Sequence, residues 1–204
     1  MFKSMQKEES MDKAKKFIDW IHLNNIKVIA FDLDRTLTNR YSTGAILHTQ
    51  LQSYSDGCSE DFKSIIFDLL EEKELHIAIV TYTDNSLYRE YDKENYIAGW
   101  DLVNGFLRTI GLNNKQMKKI IKLCRSPTLH DEKYEGKLWH LDRLKTIFNI
   151  SPKKILLFDD SYTNVLYSNS YRAIKVCGRS FSLDDIPLRE KLTEVDWNMI
   201  SKGW

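Results

Sequence analysis

A chain of 204 residues, 42% hydrophobic and 29% charged, is long enough to bury one sizeable α/β core, so residues 1–204 are predicted to form a single domain with room for a small insertion. The 30 basic and 29 acidic residues nearly cancel, so overall charge gives no reason to expect nucleic acid or an anionic membrane as a partner. Three widely spaced cysteines, Cys58, Cys124 and Cys177, argue against a disulfide framework and favour reduced thiols in a cytoplasmic protein. The sequence has no signal-peptide core and no run of about 18 apolar residues, so we expect neither secretion nor a membrane span.

The first third of the chain alternates helical and strand patterns. Residues 9–23 carry apolar side chains at helical spacing and predict an amphipathic helix ended by the asparagines at 24–25. The apolar run 26–32 predicts a strand buried on both faces, as strands of parallel sheets are. Ser59 is the predicted N-cap of a second helix, whose apolar face is Phe62, Ile65, Ile66, Leu69 and Leu70. Residues 75–82 predict the next buried strand.

The middle of the chain has a longer helical pattern. It extends from Asp84 to about Leu123 and is broken by Gly99 and by the turn sequence at 111–114. A polar stretch at 125–136 is predicted to be a loop.

The last third returns to alternation. A helix that ends before Pro152 is predicted on the apolar positions Leu138, Leu141, Leu144, Ile147 and Phe148. Strands are predicted at 154–160 and 172–177. Buried strands that alternate with amphipathic helices predict an α/β fold, a Rossmann-like parallel sheet covered by helices on both faces.

Polar side chains follow three of the predicted strands at the point where each ends. They are Asp32 and Asp34, then Thr81, Thr83 and Asp84, and finally Asp159 and Asp160. Because the carboxyl ends of parallel strands meet at one edge of the sheet, where ligands bind, we expect a single crevice to collect them.

Three carboxylates in a dry crevice repel one another strongly unless a divalent cation neutralises them. Asp32, Asp34 and Asp159 form an all-oxygen ligand set that suits Mg²⁺, and no cluster of histidines or cysteines competes for the metal. A carboxylate held against such a metal can attack phosphorus and form an aspartyl-phosphate, which divides a slow hydrolysis into two easier steps.

The second aspartate of the pair has a separate task in this chemistry. A departing alkoxide needs a proton, and Asp34, two residues beyond the nucleophile Asp32, can supply it and later deprotonate the attacking water. Thr81 and the backbone amides after it would bind the phosphoryl oxygens, and a lysine would offset their charge.

The segments FDLDRTLT, IVTYTDN and LLFDDSYTNV, with a lysine between the last two, resemble the signature motifs of the haloacid dehalogenase (HAD) superfamily in their usual order. The resemblance covers residues 26–178. It implies an Mg²⁺-dependent phosphatase with Asp32 as nucleophile and Asp34 as general acid/base whose backbone carbonyl also meets the metal. It further implies that Thr81 is a phosphate ligand, Asp159 a metal ligand, and Asp160 and Asn164 supporting residues.

The motif lysine is assigned to Lys137, which lies 22 positions before Asp159 as the family's lysine does, with Lys133 as the alternative. The segment GKLWHLDRL is also similar to the eukaryotic magnesium-dependent phosphatase branch, whose members are essentially capless. Because Thr81 and Lys137 are 56 positions apart, we expect an additional helical insertion within 95–130.

Structural explanations compete with each of these assignments. The pair Asp32 and Asp34 can form a turn at a strand end, and Asp159 with Asp160 can cap a helix. Thr81 is an ordinary strand residue by type. Lys137 can lie on a solvated helix face.

Residues around the motifs carry weaker expectations. A salt bridge and a substrate contact are equally consistent with Arg35, and His140 is expected to be a surface or supporting residue. Tyr41, Tyr82 and Tyr162 are near the motif loops and are candidates for the substrate mouth.

The predicted function is an Mg²⁺-dependent phosphomonoesterase acting on a phosphoprotein, phosphotyrosine or a small phosphorylated metabolite. Asp34 favours phosphoryl chemistry over dehalogenation, because a halide leaves without a proton. A phosphate-binding regulatory protein without turnover is the alternative. The sequence gives no indication of the oligomeric state.

Overall fold

The computed structural model describes residues 2–83, 92–125, 135–178, 180–188 and 190–201, with side chains from residue 12 to residue 200. The helices are α1 (Phe2–Leu23), α2 (Leu51–Asp56), α3 (Glu60–Leu69), α4 (Gly99–Thr109), α5 (Asn114–Lys119), α6 (Leu138–Phe148), α7 (Tyr162–Tyr167) and α8 (Glu194–Ser201). The strands are β1 (Val28–Phe31), β2 (Ala45–Leu47), β3 (His76–Thr81), β4 (Tyr96–Ala98), β5 (Ile120–Cys124), β6 (Ile155–Asp159) and β7 (Arg172–Lys175).

The main sheet contains five parallel strands within the described ranges, in the order β5-β3-β1-β6-β7. Strand β1 is central, and Val28 is in register with His76 on one side and with Ile155 on the other. The strand that carries Asp32 at its end therefore lies between the strands that carry Thr81 and Asp159.

Both faces of this sheet are buried. Alternate residues of each strand point to opposite sides, so every strand contributes to a core on each face. Ile29 and Phe31 face a core shared with α1, α3 and α4, whereas Val28 and Ala30 face a core shared with α6 and α7. The predicted α/β fold, a parallel sheet covered by helices on both faces, is confirmed.

The helices and strands that flank the motifs were predicted well. Helix α3 begins after Ser59, whose hydroxyl accepts a hydrogen bond from the backbone N–H of Phe62 at 3.1 Å, as an N-cap should. Four residues of its predicted apolar face are buried within the helix, namely Phe62, Ile65, Ile66 and Leu69. The four predicted strands are all present, although each is two or three residues shorter than predicted.

The helical pattern predicted up to Leu123 is wrong at its end. Residues 120–124 form β5, which pairs with β3 as an edge strand of the main sheet. Five residues are too few for helical and extended periodicity to be separated, and pairing with β3 decides the outcome. The first part of that pattern, 84–91, lies outside the described residues, as do residues 126–134 of the predicted loop.

A small antiparallel ribbon of β2 and β4 was not predicted. Ala45 pairs with Ala98, which brings together two segments that are far apart in sequence. The Thr83 hydroxyl donates to the Gly44 carbonyl and accepts from the Gly99 N–H, so it joins both ribbon strands to the end of β3. The segment 95–130 was expected to be a helical insertion, and its described part, 95–125, contains α4 and α5 but also the strands β4 and β5.

Among the helices in the described parts of the chain, none combines the length and apolar character needed to cross a membrane.

Candidate active site

The carboxyl edge of the sheet brings together polar residues from three strands. Asp32 follows β1, Thr81 ends β3, and Asp159 ends β6 with Asp160 next to it. Carboxylate oxygens of Asp32, Asp159 and Asp160 all lie within 4.8 Å of one another. Parallel strands produce this convergence, since their ends share one edge.

Lys137 completes this cluster from the start of α6. Its side chain is fully buried, and its Nζ donates to Asp32 Oδ1 at 2.7 Å and to the Val80 carbonyl at 2.9 Å. The preceding Gly136 has a φ of 52°, and a Cβ there would lie 3.1 Å from the Asn164 Cα, so only glycine fits without strain. The structure therefore places Lys137 beside the predicted nucleophile, whereas the alternative Lys133 lies outside the described residues.

Burial and like charge dominate the electrostatics of Asp32. Burial raises the pKa of this carboxyl to about 8, because Lys137 only partly compensates for it and Asp159 adds repulsion. Burial also acts to lower the pKa of Lys137, but Asp32 and Asp159 reverse the direction and raise it. The lysine therefore stays protonated, but its charge does not fully offset the cost of ionising the acids around it.

Asp159 is held by donors on the loop and helix that follow it. The Asn164 amide donates to its two carboxylate oxygens at 2.9 and 3.0 Å, and the Ser161 N–H donates to Oδ1 at 2.9 Å. Burial nevertheless raises the pKa of Asp159, against the opposing effects of Lys137 and Asn164. These donors fix the orientation of the carboxylate. They do not fully offset the cost of burying its ionised form, which a further positive charge would stabilise.

The donor set fits Mg²⁺. All three clustered ligands are carboxylate oxygens, which hard cations prefer. Ligands on opposite sides of Mg²⁺ are about 4.2 Å apart, so oxygens within 4.8 Å need little movement to share one ion. Burial also raises the pKa of Asp160, against the opposing effect of Arg35. A divalent cation would offset both the cost of burying these carboxylates in their ionised form and the repulsion among them.

Asp34 lies outside the carboxylate cluster, in different surroundings. Its Oδ2 accepts from the Ser42 N–H at 2.9 Å and from the Ser42 hydroxyl at 2.7 Å. Its Oδ1 accepts from the hydroxyl of Tyr54 on α2. The Asp34 carboxylate is thus bound by Ser42 and Tyr54 and is not part of the cluster of Asp32, Asp159 and Asp160. Burial, together with the nearby Asp34 carboxylate, raises the pKa of Tyr54 well above its usual value, so its hydroxyl keeps its proton.

Thr81 and its neighbours support the same edge from β3. Thr81 is buried, and its carbonyl lies 3.2 Å from Nε2 of the buried His140 on α6. Burial and the charge of Lys137 lower the pKa of His140 well below its usual value, so the ring is neutral and its Nε2–H donates to Thr81. The ammonium of Lys137 lies 4.1 Å from the ring centroid of Tyr82, whose hydroxyl donates to Asn164 Oδ1 at 3.2 Å. Tyr82 thus links the lysine to the residue that holds Asp159.

A cleft of about 740 Å³ opens over these groups. Arg35 lies at its wall with its guanidinium 5.3 Å from the ring centroid of Tyr41, and within the described ranges it forms no ion pair. Tyr41 and Tyr82 line the cleft, but Tyr162, also predicted at the mouth, is not among the lining residues. The cleft is therefore bounded by the carboxylates on its floor and by one cation and two phenol rings on its walls.

The structure brings together Asp32, Thr81, Lys137, Asp159, Asp160 and Asn164, and places Asp34 beside them with its own partners. Asp84 lies outside the described residues. Sequence reasoning missed Ser42 and Tyr54, because they belong to no motif and reach Asp34 only through the path of the chain between β1 and α3.

Comparisons with known proteins give limited similarity. No protein-family model matches the chain, and no curated protein sequence does either. Among solved structures, DsGPDH of Dunaliella salina is 12% identical with a TM-score of 0.45, over 78% of this chain and 26% of that one. A putative HAD superfamily (subfamily III A) hydrolase from Legionella pneumophila is 12% identical with a TM-score of 0.39, over 85% and 76%. L-2-haloacid dehalogenase from Xanthobacter autotrophicus is 12% identical with a TM-score of 0.40, over 74% and 77%. The function of this chain therefore has to be argued from its own residues.

Proposed function

We propose that this chain is an Mg²⁺-dependent phosphomonoesterase of the HAD type that works through an aspartyl-phosphate. The observation that supports this best is the cluster of Asp32, Asp159 and Asp160 oxygens within 4.8 Å, with Lys137 at 2.7 Å from Asp32. Three buried or half-buried acids around one lysine are costly for folding alone, so a role for a bound cation and an anionic substrate accounts for them.

In the first step, a carboxylate oxygen of Asp32 forms a bond to phosphorus while the bond between phosphorus and the leaving oxygen breaks. The leaving oxygen takes a proton from Asp34 and departs as an alcohol. Lys137 favours the ionised form of Asp32 against the effect of burial, and it offsets charge on the phosphoryl oxygens. Bound Mg²⁺ would supply further positive charge to Asp32 and to those oxygens.

In the second step, water attacks the phosphorus of the aspartyl-phosphate. Asp34 takes a proton from this water, the bond between Asp32 and phosphorus breaks, and inorganic phosphate leaves. Both residues then return to their starting states. Thr81 at the end of β3 is suited to bind the phosphoryl oxygens during both steps, as the motif order implies.

The substrate proposed is a phosphoprotein, phosphotyrosine or a small phosphorylated metabolite, in a cytoplasmic protein. A cleft of about 740 Å³ with Arg35 and Tyr41 on its wall has room for a phosphate ester of any of these types.

Steady-state release of p-nitrophenol from p-nitrophenyl phosphate, with and without Mg²⁺, tests the proposal. We expect turnover that requires Mg²⁺ and that Asp32→Asn abolishes. Asp142→Asn is the matched control, because Asp142 is a half-exposed aspartate of α6 that does not line the cleft. Absence of Mg²⁺-dependent release by pure protein would contradict the proposal and favour a phosphate-binding protein. A panel of phosphotyrosine peptides, sugar phosphates and nucleotides would then identify the substrate class.

A further inference from the structure

Within the parts of the chain that the structure describes, three donors reach the Asp34 carboxylate, which leaves one of its hydrogen-bonding positions. An ionised carboxylate offers about four acceptor sites, two on each oxygen. The N–H and hydroxyl of Ser42 occupy both sites of Oδ2, and the Tyr54 hydroxyl occupies one site of Oδ1. The remaining site belongs to Oδ1. Asp34 is partly exposed and lines the cleft, and Oδ1 is the oxygen of its carboxylate with fewer protein donors.

The groups that bind Asp34 are themselves fixed. Tyr54 is 3% exposed, and its ring packs edge-on against Phe106 of α4 with centroids 6.2 Å apart. The Ser42 hydroxyl also accepts a hydrogen bond from the Gly44 N–H at 3.1 Å, so its one proton is directed to Asp34. The orientation of the Asp34 carboxylate is therefore set by two residues that do not line the cleft.

We propose that Oδ1 of Asp34 is the atom that gives and takes the proton, and that Tyr54 and Ser42 are positioning residues that aim it at the leaving oxygen. This inference rests on the proposed function. As the phosphorus–oxygen bond breaks, the proton moves from Oδ1 to the leaving oxygen, and a proton of the attacking water later returns to Oδ1. Tyr54 remains a neutral hydroxyl throughout and exchanges no proton with the substrate.

The test exploits the different proton demands of two leaving groups. Tyr54→Phe keeps the ring and its packing but removes the hydrogen bond to Oδ1. We expect kcat/KM for glycerol 2-phosphate to fall about tenfold more than the rate of single-turnover phosphoryl transfer from p-nitrophenyl phosphate, whose leaving group barely needs an acid. A residue needed only for folding would lower both rates equally.

Tyr171→Phe is the matched control, because Tyr171 also donates to an aspartate, Asp142, at 2.5 Å and does not line the cleft. We expect it to leave the ratio of the two rates unchanged. Ser42→Ala removes one donor to Oδ2 while the Ser42 N–H stays, so the same selective loss should appear with smaller size. If Tyr54→Phe does not fold, as judged by the loss of cooperative unfolding, Ser42→Ala provides the test.

Equal losses for both substrates in the folded variants, or no loss, would overturn the positioning role while leaving the phosphatase itself intact. Absence of turnover by the wild-type protein would instead contradict the proposed function, and with it this inference.

Discussion

Asp32 and Asp34 are two residues apart, yet they lie in opposite kinds of surroundings. Asp32 is 7% exposed and is paired with the Lys137 ammonium, which comes from 105 positions away in the sequence. Asp34 is partly exposed and accepts hydrogen bonds from neutral donors, Ser42 and Tyr54, which are only 8 and 20 positions away. Two residues of one type thus have different environments, which supports the two different chemical roles proposed for them.

The difference follows from where each side chain is supported. Asp32 lies at the end of the central strand, so the rigid sheet and α6 fix its position. Asp34 lies on the turn after that strand, and its partners belong to the segment between β1 and α3, which includes β2 and α2. The first site is suited to hold charge, and the second to move a proton.

The largest effect is expected at Asp32 and its partner Lys137. Lys137→Met keeps the length of the side chain but removes the cation beside Asp32, so phosphoryl transfer should fall by about 10³-fold. The free energy of unfolding in Mg²⁺-free buffer should fall by about 3 kcal/mol, because buried carboxylates lose their counter-charge. Stopped-flow kinetics and urea unfolding measure the two effects.

The matched control for Lys137→Met is Lys145→Met. Lys145 pairs with Asp142 at 3.2 Å in a half-exposed position on α6, so its loss should change the unfolding free energy by less than about 1 kcal/mol. If Lys145→Met lowered the rate of phosphoryl transfer and the free energy of unfolding as much as Lys137→Met, the buried lysine would have no role that a surface lysine lacks.

The next effect tests the proton-moving side. Asp34→Asn should lower the hydrolysis of an alkyl phosphate by about 10²-fold or more, because the alkoxide then leaves without an acid. The first chemical step with p-nitrophenyl phosphate should lose much less in single-turnover measurements. Losses of the same size for both substrates would show that Asp34 does not serve as the acid.

A smaller effect is expected from the residues that orient the metal ligands. Asn164→Ala removes both amide hydrogen bonds to Asp159, so Mg²⁺ affinity measured by calorimetry without substrate should fall about tenfold. Asn169→Ala, an exposed asparagine outside the cleft, is the control. If Asn164→Ala bound Mg²⁺ as tightly as the wild type, the hydrogen bonds from Asn164 would not be needed to hold Asp159 as a metal ligand.

The smallest effect concerns the pH dependence of stability. His140 is neutral when folded, because burial lowers its pKa well below the usual value, whereas the unfolded chain gains a proton below about pH 6.5. Its contribution to stability is therefore present above pH 6.5 and is lost as the pH falls, by up to about 1.4 kcal/mol per pH unit. Urea unfolding between pH 7.5 and 5.5 should show that the free energy of unfolding falls less steeply with falling pH in His140→Phe than in the wild type. His48→Ala, which changes an exposed histidine, is the control and should behave like the wild type. Identical slopes would contradict this assignment.

The sequence was sufficient to predict four of the five strands of the main sheet and the residues at its carboxyl edge. Parallel strands place Asp32, Thr81 and Asp159 together whatever the loops do, so periodicity and strand order were enough. Lys137 needed the spacing of the motifs as well, because a lysine at a helix start is usually solvated.

Other features depended on contacts that no local pattern encodes. The strand β5 is fixed by its pairing with β3, and five residues are too few for periodicity to decide. Tyr54 and Ser42 reach Asp34 only because the chain between β1 and α3 folds back onto the turn that carries Asp34. Such contacts are properties of the tertiary structure rather than of any segment.

The measurement closest to the central claim is a search for a phosphoryl group on Asp32. Wild-type protein would be mixed with Mg²⁺ and p-nitrophenyl phosphate, quenched in acid during turnover and analysed by mass spectrometry of its peptides. We predict a phosphoryl adduct on the peptide at Asp32 that Asp32→Asn lacks. Turnover without that adduct, or an adduct that persists in Asp32→Asn, would contradict the account.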